Sequence, residues 1–154
     1  MRLRIAAVIA AFGLTLAGEA HAGDISRQAN QEYLAANVKK PGVVVLPSGL
    51  QYRVIKSGSG ATPAPSDMVR VAYKGTLVDG YVFEQTKPGE TKDLPADKVV
   101  PGWQEALSLM KEGDEWELVI PAALGYGANR SEAIPSNQTL TFDMELVAVL
   151  RARR

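Results

Sequence analysis

The sequence predicts an α+β fold: a twisted antiparallel β-sheet wrapped around one short α-helix and preceded by a short N-terminal helix. Three observations predict it. Segments of strand composition outnumber helical ones. They follow one another without the strand–helix–strand alternation that builds a parallel sheet. One interior segment, Trp103 to Met110, carries apolar residues at i, i+3, i+4 and i+7, the signature of an amphipathic helix.

The elements follow in chain order. Residues 24 to about 38 are expected to form the N-terminal helix, with Ile25, Ala29, Tyr33 and Ala36 as its apolar stripe and Asp24 or Ser26 as its cap. Lys39-Lys40-Pro41-Gly42 ends it. Val43 to Leu46 is a short apolar run closed by Pro47-Ser48-Gly49. Leu50 to Lys56 has strand composition, and the Gly, Ser and Pro of residues 57 to 65 make a loop. Met68 to Leu77 alternates, with Val69, Val71 and Tyr73 on one face and Arg70, Ala72 and Lys74 on the other. Asp79-Gly80 is a hairpin turn, and Tyr81 to Glu84 starts the return strand. Gln85 to Lys98 is polar and holds two prolines, so it is expected to be an irregular excursion. Pro101-Gly102 opens the second helix, which should run to about Gly113 as its C-cap. Glu115 to Ile120 is a strand, Leu124 to Asn137 a loop, and Leu140 to Leu150 the longest strand.

Composition narrows the chemistry. The chain has 17 basic and 17 acidic residues, so it lacks the basic excess that a nucleic-acid partner requires. Residues 1–22 read as a signal peptide. Arg2 and Arg4 lead an apolar stretch from Ile5 to Ala17, and Ala20-His21-Ala22 is a cleavage signal. Cleavage there leaves residues 23–154 with neither cysteine nor histidine. Disulfides, thiol catalysis, a Ser-His-Asp triad and an ordinary zinc site are thereby excluded. No metal or cofactor is expected, and no membrane attachment after cleavage. The reading divides the chain into 1–22, a signal peptide; 23–48, a helix and linker; and 49–154, the main domain.

Three segments carry a resemblance: VAYKGTLVDGYVFEQT (Val71 to Thr86), VVPGWQEALSLMKEGDEWELVIPAALGYG (Val99 to Gly127) and AIPSNQTLTFDMEL (Ala133 to Leu146). In sequence and spacing they resemble the FKBP-type peptidyl-prolyl cis-trans isomerases. Residues 30–60 resemble the linker of bacterial Mip-like members, with a shortened segment ahead of it. The resemblance implies a periplasmic isomerase whose partners are proline-containing polypeptides that are unfolded or still folding. With so short a leading segment, a monomer is favoured over the family's dimer.

Such an activity requires no nucleophile or metal, so it fits a mature chain without cysteine or histidine. The X-Pro bond rotates over a barrier of about 18–20 kcal/mol and no bond is broken. A dry aromatic cleft that binds the twisted amide better than either planar form is sufficient, since ~10⁴-fold acceleration asks for about 5.5 kcal/mol. The resemblance implies aromatic walls at Tyr73, Phe83 and Phe142, an indole floor at Trp103 and a hydroxyl donor at Tyr126. It implies an aliphatic rim at Val99, Val100 and Ile134, with the Val100 N–H as a peptide contact. By spacing alone Trp103 belongs simply to the buried face of its helix. Trp116, Tyr33, Tyr52 and Tyr81 are read as structural.

Two departures from the family pattern shape the expectation. Glu84 stands where an Asp is usual. The excursion before the tryptophan reads Glu90-Thr91-Lys92-Asp93-Leu94, where aromatic residues are usual. The cleft should therefore be open and polar on that side, and macrolide inhibitors should bind weakly. The alternative is a chaperone or peptide-binding module with vestigial turnover; a gain in activity on replacing Glu84 by Asp would mark it.

Overall fold

In a computed structural model, residues 23–131 and 133–151 are described. The expected signal peptide lies outside them.

Alternation organises the sheet. Strand β3 (Met68–Thr76) buries Val69, Val71 and Tyr73 and leaves Arg70, Ala72 and Lys74 on the wetter face. Strand β7 (Leu140–Leu150) pairs antiparallel with it and buries Leu140, Phe142, Met144 and Leu146. Strand β6 (Glu115–Ile120) adds Trp116, Leu118 and Ile120 on the same side. Beyond it lie β2 (Gln51–Lys56) and the two-residue edge β1 (Val44–Val45). On the other flank of β3, β4 (Val82–Gln85) pairs with its end and β5 (Lys92–Pro95) with its start. All pairings are antiparallel, in the order β1-β2-β6-β7-β3-β4, with β5 on the same side of β3 as β4. Helix α2 (Pro101–Leu107) lays Trp103, Ala106 and Leu107 onto the apolar face. Gly102 permits that approach, because a Cβ there would sit 2.7 Å from Ile120 Cγ2. The architecture is the α+β sheet on a helix that the pattern predicts.

Three expectations are corrected. The polar excursion contains β5. Its residues look unlike a strand because it is an edge, where a proline such as Pro95 and charges such as Lys92 and Asp93 are tolerated. Asp93 accepts two hydrogen bonds from Arg70 across the pair, at 2.9 and 3.0 Å. Helix α2 ends at Leu107, not near Gly113, although Met110 is still fully buried. The buried Asp114 carboxylate takes the Lys111 N–H at 2.8 Å and the Gly58 N–H at 2.6 Å, and so turns the chain into β6. Gly113, at φ +94°, makes that turn rather than capping the helix.

The third correction concerns helix α1 (Arg27–Asn37). Ser26 caps it, accepting from Ala29 N–H at 3.1 Å. The expected stripe docks only in part: Ile25 packs against the core and Ala29 and Tyr33 are half-buried, whereas Ala36 is exposed. Its buried residues are Asn30 and Asn37. Asn30 accepts the Thr139 N–H at 2.7 Å and donates to the carbonyl of Ser26 at 2.8 Å and to Gln138 Oε1 at 3.2 Å. Asn37 donates to Gln51 Oε1 at 2.8 Å, and Gln51 donates back to the Leu34 carbonyl at 3.1 Å. These two buried amides, together with the partly buried Ile25, Tyr33 and Leu34, hold α1 across one end of the sheet.

Two consequences can be measured. Asn30→Ala strands the Thr139 N–H, which should cost about 1–3 kcal/mol in chemical denaturation and raise amide exchange in α1. On the outer face, Glu115 stands opposite Glu145 and beside Asp143. A hydrogen bond with Asp143, then burial, then the charges of Asp143 and Glu145 push the Glu115 carboxyl above its ordinary value of 4.5, with Lys56 opposing. A raised carboxyl destabilises the fold once ionised: the penalty is absent below the unfolded value and complete above the folded one. Glu115→Gln should therefore raise the thermal midpoint at neutral pH, with the gain disappearing as the pH falls below 4.5.

Candidate functional site

The cleft is built where β3, β7 and α2 meet. Tyr73 comes from the middle of β3, Phe142 from the start of β7 and Trp103 from the first turn of α2. Their rings meet edge to face. Trp103 lies 5.0 Å from Tyr73 at 90° and 5.2 Å from Phe142 at 79°. Phe83 closes on Phe142 at 5.6 Å and 88°. Edge-to-face pairs place positive ring edges on negative ring faces and hold one another at fixed tilt.

Gly75 makes the convergence possible. It stands directly across from Phe142 in the β3–β7 ladder. A Cβ there would lie 2.6 Å from the Phe83 ring and 2.7 Å from the Phe142 ring. Spacing and composition did not single it out, although a glycine interrupting an alternating strand is the sign of such a close approach.

The cleft encloses about 230 Å³. Of the residues expected at the site, Tyr73, Glu84, Val99, Val100, Trp103, Tyr126 and Phe142 line it. Phe83 stands behind Phe142, and Ile134 is buried in the core, so neither lines the cleft wall. Lys92 and Leu94, from the segment expected to make one side of the cleft open and polar, line it as well, and so does Lys98, which the sequence did not single out. Lys92 and Leu94 arrive on the unforeseen strand β5.

Polar groups are arranged around the rings. Tyr73 donates its hydroxyl to Glu84 Oε2 at 2.5 Å, and the Lys92 ammonium lies 3.3 Å from the same oxygen. The extra methylene of Glu84 therefore still allows its carboxylate to reach the tyrosine. Burial, then the bond to Glu84, pushes the Tyr73 hydroxyl well above the ordinary tyrosine value. Burial, then the Glu84 charge, also raises Tyr126. Both stay protonated donors throughout the physiological range. The Tyr126 hydroxyl donates to none of the described residues, and its side of the cleft is open, with the residue 44 % exposed. Its backbone is fixed by a turn in which Asn129 N–H donates to the Tyr126 carbonyl and Gly127 N–H to that of Ala122.

The rim is set by the start of α2. The Val100 carbonyl accepts from Trp103 and Gln104, and the Gln104 side chain donates to the Val99 carbonyl at 2.7 Å. This leaves the Val100 N–H facing no described acceptor. The cleft thus offers an apolar floor, the Tyr126 hydroxyl and a free amide, with the Tyr73 hydroxyl and the Glu84 carboxylate engaged with each other. Among the described residues no group of His, Cys, Asp or Glu could hold a metal ion. The arrangement can grip an extended apolar-polar segment and shield it from water. Gly75→Ala should drive the two phenylalanine rings apart, costing about 1–3 kcal/mol of stability, and nuclear magnetic resonance should show ring-current shifts across the cleft.

Comparison with known proteins adds the lineage. The family model described as FKBP-type peptidyl-prolyl cis-trans isomerase matches residues 59–147, and the domain amino terminal to that isomerase matches residues 3–54. The outer membrane protein MIP of Legionella longbeachae is 49 % identical over 122 residues, covering 78 % of this chain and 52 % of its own. The crystal structure of FkpA from Escherichia coli superposes with a TM-score of 0.78 at 42 % identity, over 82 % of this chain and 60 % of that one. A peptidyl-prolyl cis-trans isomerase structure from Pseudomonas syringae gives 0.75 at 34 % identity, over 80 % and 92 %. The chain spans about half the length of the curated relatives it matches. With the family model covering more than half of its residues, the chain belongs to the FKBP-type peptidyl-prolyl cis-trans isomerase family.

Proposed function

We propose that this chain catalyses cis-trans isomerisation of X-Pro bonds in polypeptides that are still folding. The observation that carries the reading is the cleft floored by Trp103 and walled by Tyr73 and Phe142, with the Tyr126 hydroxyl at its mouth. A prolyl ring packs on the indole. Tyr126 donates to a substrate carbonyl, and the Val100 N–H donates to the peptide beside it. Phe83 and Ile134 act indirectly: Phe83 fixes the angle of Phe142, and Ile134 fills the core beneath. Twisting the amide removes its resonance and reduces its polarity, so a poorly hydrated aromatic cleft favours the twisted form over the planar one. Glu84 orients Tyr73 and keeps it from turning into the cleft.

The same reading gives the protein a workplace. The positive, apolar and Ala-x-Ala pattern of residues 1–22 directs export, and the periplasm is the compartment in which clients would be met. No described helix is long and apolar enough to cross a membrane. The chain works as a monomer, because α1 spends its buried face on its own sheet through Asn30 and Asn37. Macrolides bind weakly, because Lys92 and Lys98 occupy a wall that such apolar ligands need.

Exchange spectroscopy on a short X-Pro peptide with micromolar protein tests the activity. Acceleration is expected, reduced about 2- to 10-fold by Tyr126→Phe, the worth of one hydrogen bond. Trp103→Leu should reduce it further. No acceleration by folded protein across peptides varied before the proline would leave a peptide-binding module in place of an enzyme.

A further inference from the structure

The charge on the cleft wall is uneven. Three ionised side chains line it: Glu84, Lys92 and Lys98. Glu84 is already engaged twice, by the Tyr73 hydroxyl at 2.5 Å and the Lys92 ammonium at 3.3 Å. Lys98 lies on the same wall, is exposed, and makes no ion pair with any described residue. It directly precedes Val99 and Val100, the rim over which the peptide would enter. Its neighbour Asp97 is exposed and does not line the cleft. Nearby Asp93 is occupied by Arg70. The cleft therefore carries one uncompensated positive charge next to an apolar floor.

We infer that Lys98 is a specificity-determining residue, and that the cleft selects prolines flanked within a residue or two by aspartate or glutamate. The inference rests on the isomerase reading for what occupies the floor, but the selection itself is a matter of binding. A carboxylate beside the proline meets the Lys98 ammonium while the ring sits on Trp103. Lys92 is half-committed to Glu84 and adds attraction without competing for the same place. A basic residue in that position meets two ammoniums, and the one carboxylate is already taken. Because Lys98 is solvated, the preference is modest and screened by salt. An exposed pair of this kind corresponds to about two- to fivefold in affinity.

Titration of the intact protein with three otherwise identical proline peptides, carrying Glu, Gln or Lys beside the proline and followed by chemical shift, tests this. Affinity should fall in the order Glu, Gln, Lys, with Glu over Gln by about two- to fivefold. The order should collapse in roughly 1 M salt, where the screening length is about 3 Å. Lys98→Gln should remove the preference for Glu, and Lys98→Glu should invert the order; the exposed position makes both variants folding-neutral, which their amide spectra verify. Equal affinities across the series, an order that Lys98→Glu leaves unchanged, or no binding of any peptide would overturn the inference. Isomerisation rates read in the same samples separate the two readings. Graded binding without acceleration sinks the enzyme and keeps the selectivity; acceleration with ungraded binding does the reverse.

Discussion

The contact on which the rest depends is the one between Gly75 and the phenylalanine rings above it. Gly75 and Phe142 face each other across the central strand pair, and the space a Cβ would fill is occupied by Phe83 and Phe142. That closeness lets Phe142 touch Phe83, Tyr73 and Trp103 at once. The long β3–β7 register supplies the rigidity, since a one-residue slip would turn every one of these side chains to the other face. Gly102 repeats the device on the other side of the cleft, bringing α2 down on Ile120 so that Trp103 becomes a floor.

Around this apolar centre the fold is located by a few buried polar groups that bond across elements. Asp114 joins the loop at Gly58 to the turn before β6, and the Gly113 N–H and the Asp114 carbonyl then bond to Leu146 in β7. Asn30 and Asn37 do the same for α1. Each is a directional bond whose loss would strand a partner in a dry place. Apolar packing could hold these elements, but it would not fix their register so narrowly. The outer face is organised by charge instead: Lys74, Asp143, Glu117 and Arg53 stand opposite one another across four strands, with Arg53 and Glu117 2.6 Å apart.

The cleft joins these two regimes. Its floor belongs to the core and its mouth to the outer strands β4 and β5, which bring charge where an aromatic lining would make a deep apolar cavity. Glu84 shows how the mouth is tuned. Its carboxylate holds a tyrosine that burial alone already keeps protonated, and it draws Lys92 onto the wall. The same polar groups thus line the mouth and stabilise the local structure.

Much of this was legible in the residues. Period-two alternation placed β3, β6 and β7 because each is half-buried, and the spacing of Trp103, Ala106, Leu107 and Met110 set which way α2 faces. The motif segments named the aromatic residues around the cleft, which short-range pattern alone would have assigned to core. What the sequence could not determine was anything decided by a partner distant along the chain. The strand β5 is invisible because an edge needs no apolar code, and the turn that follows α2 is tied by Asp114 to Gly58, distant along the chain. The docking face of α1 is set by asparagines whose acceptors and donors lie more than 100 residues away for Asn30. The close approach at Gly75, and the arrival of Lys92 and Lys98 on one wall, exist only once the sheet has formed. Local pattern encodes which face of an element is apolar; the identity of what meets that face is written by the tertiary structure, because a hydrogen bond or a ring contact belongs to two residues and neither one alone specifies it.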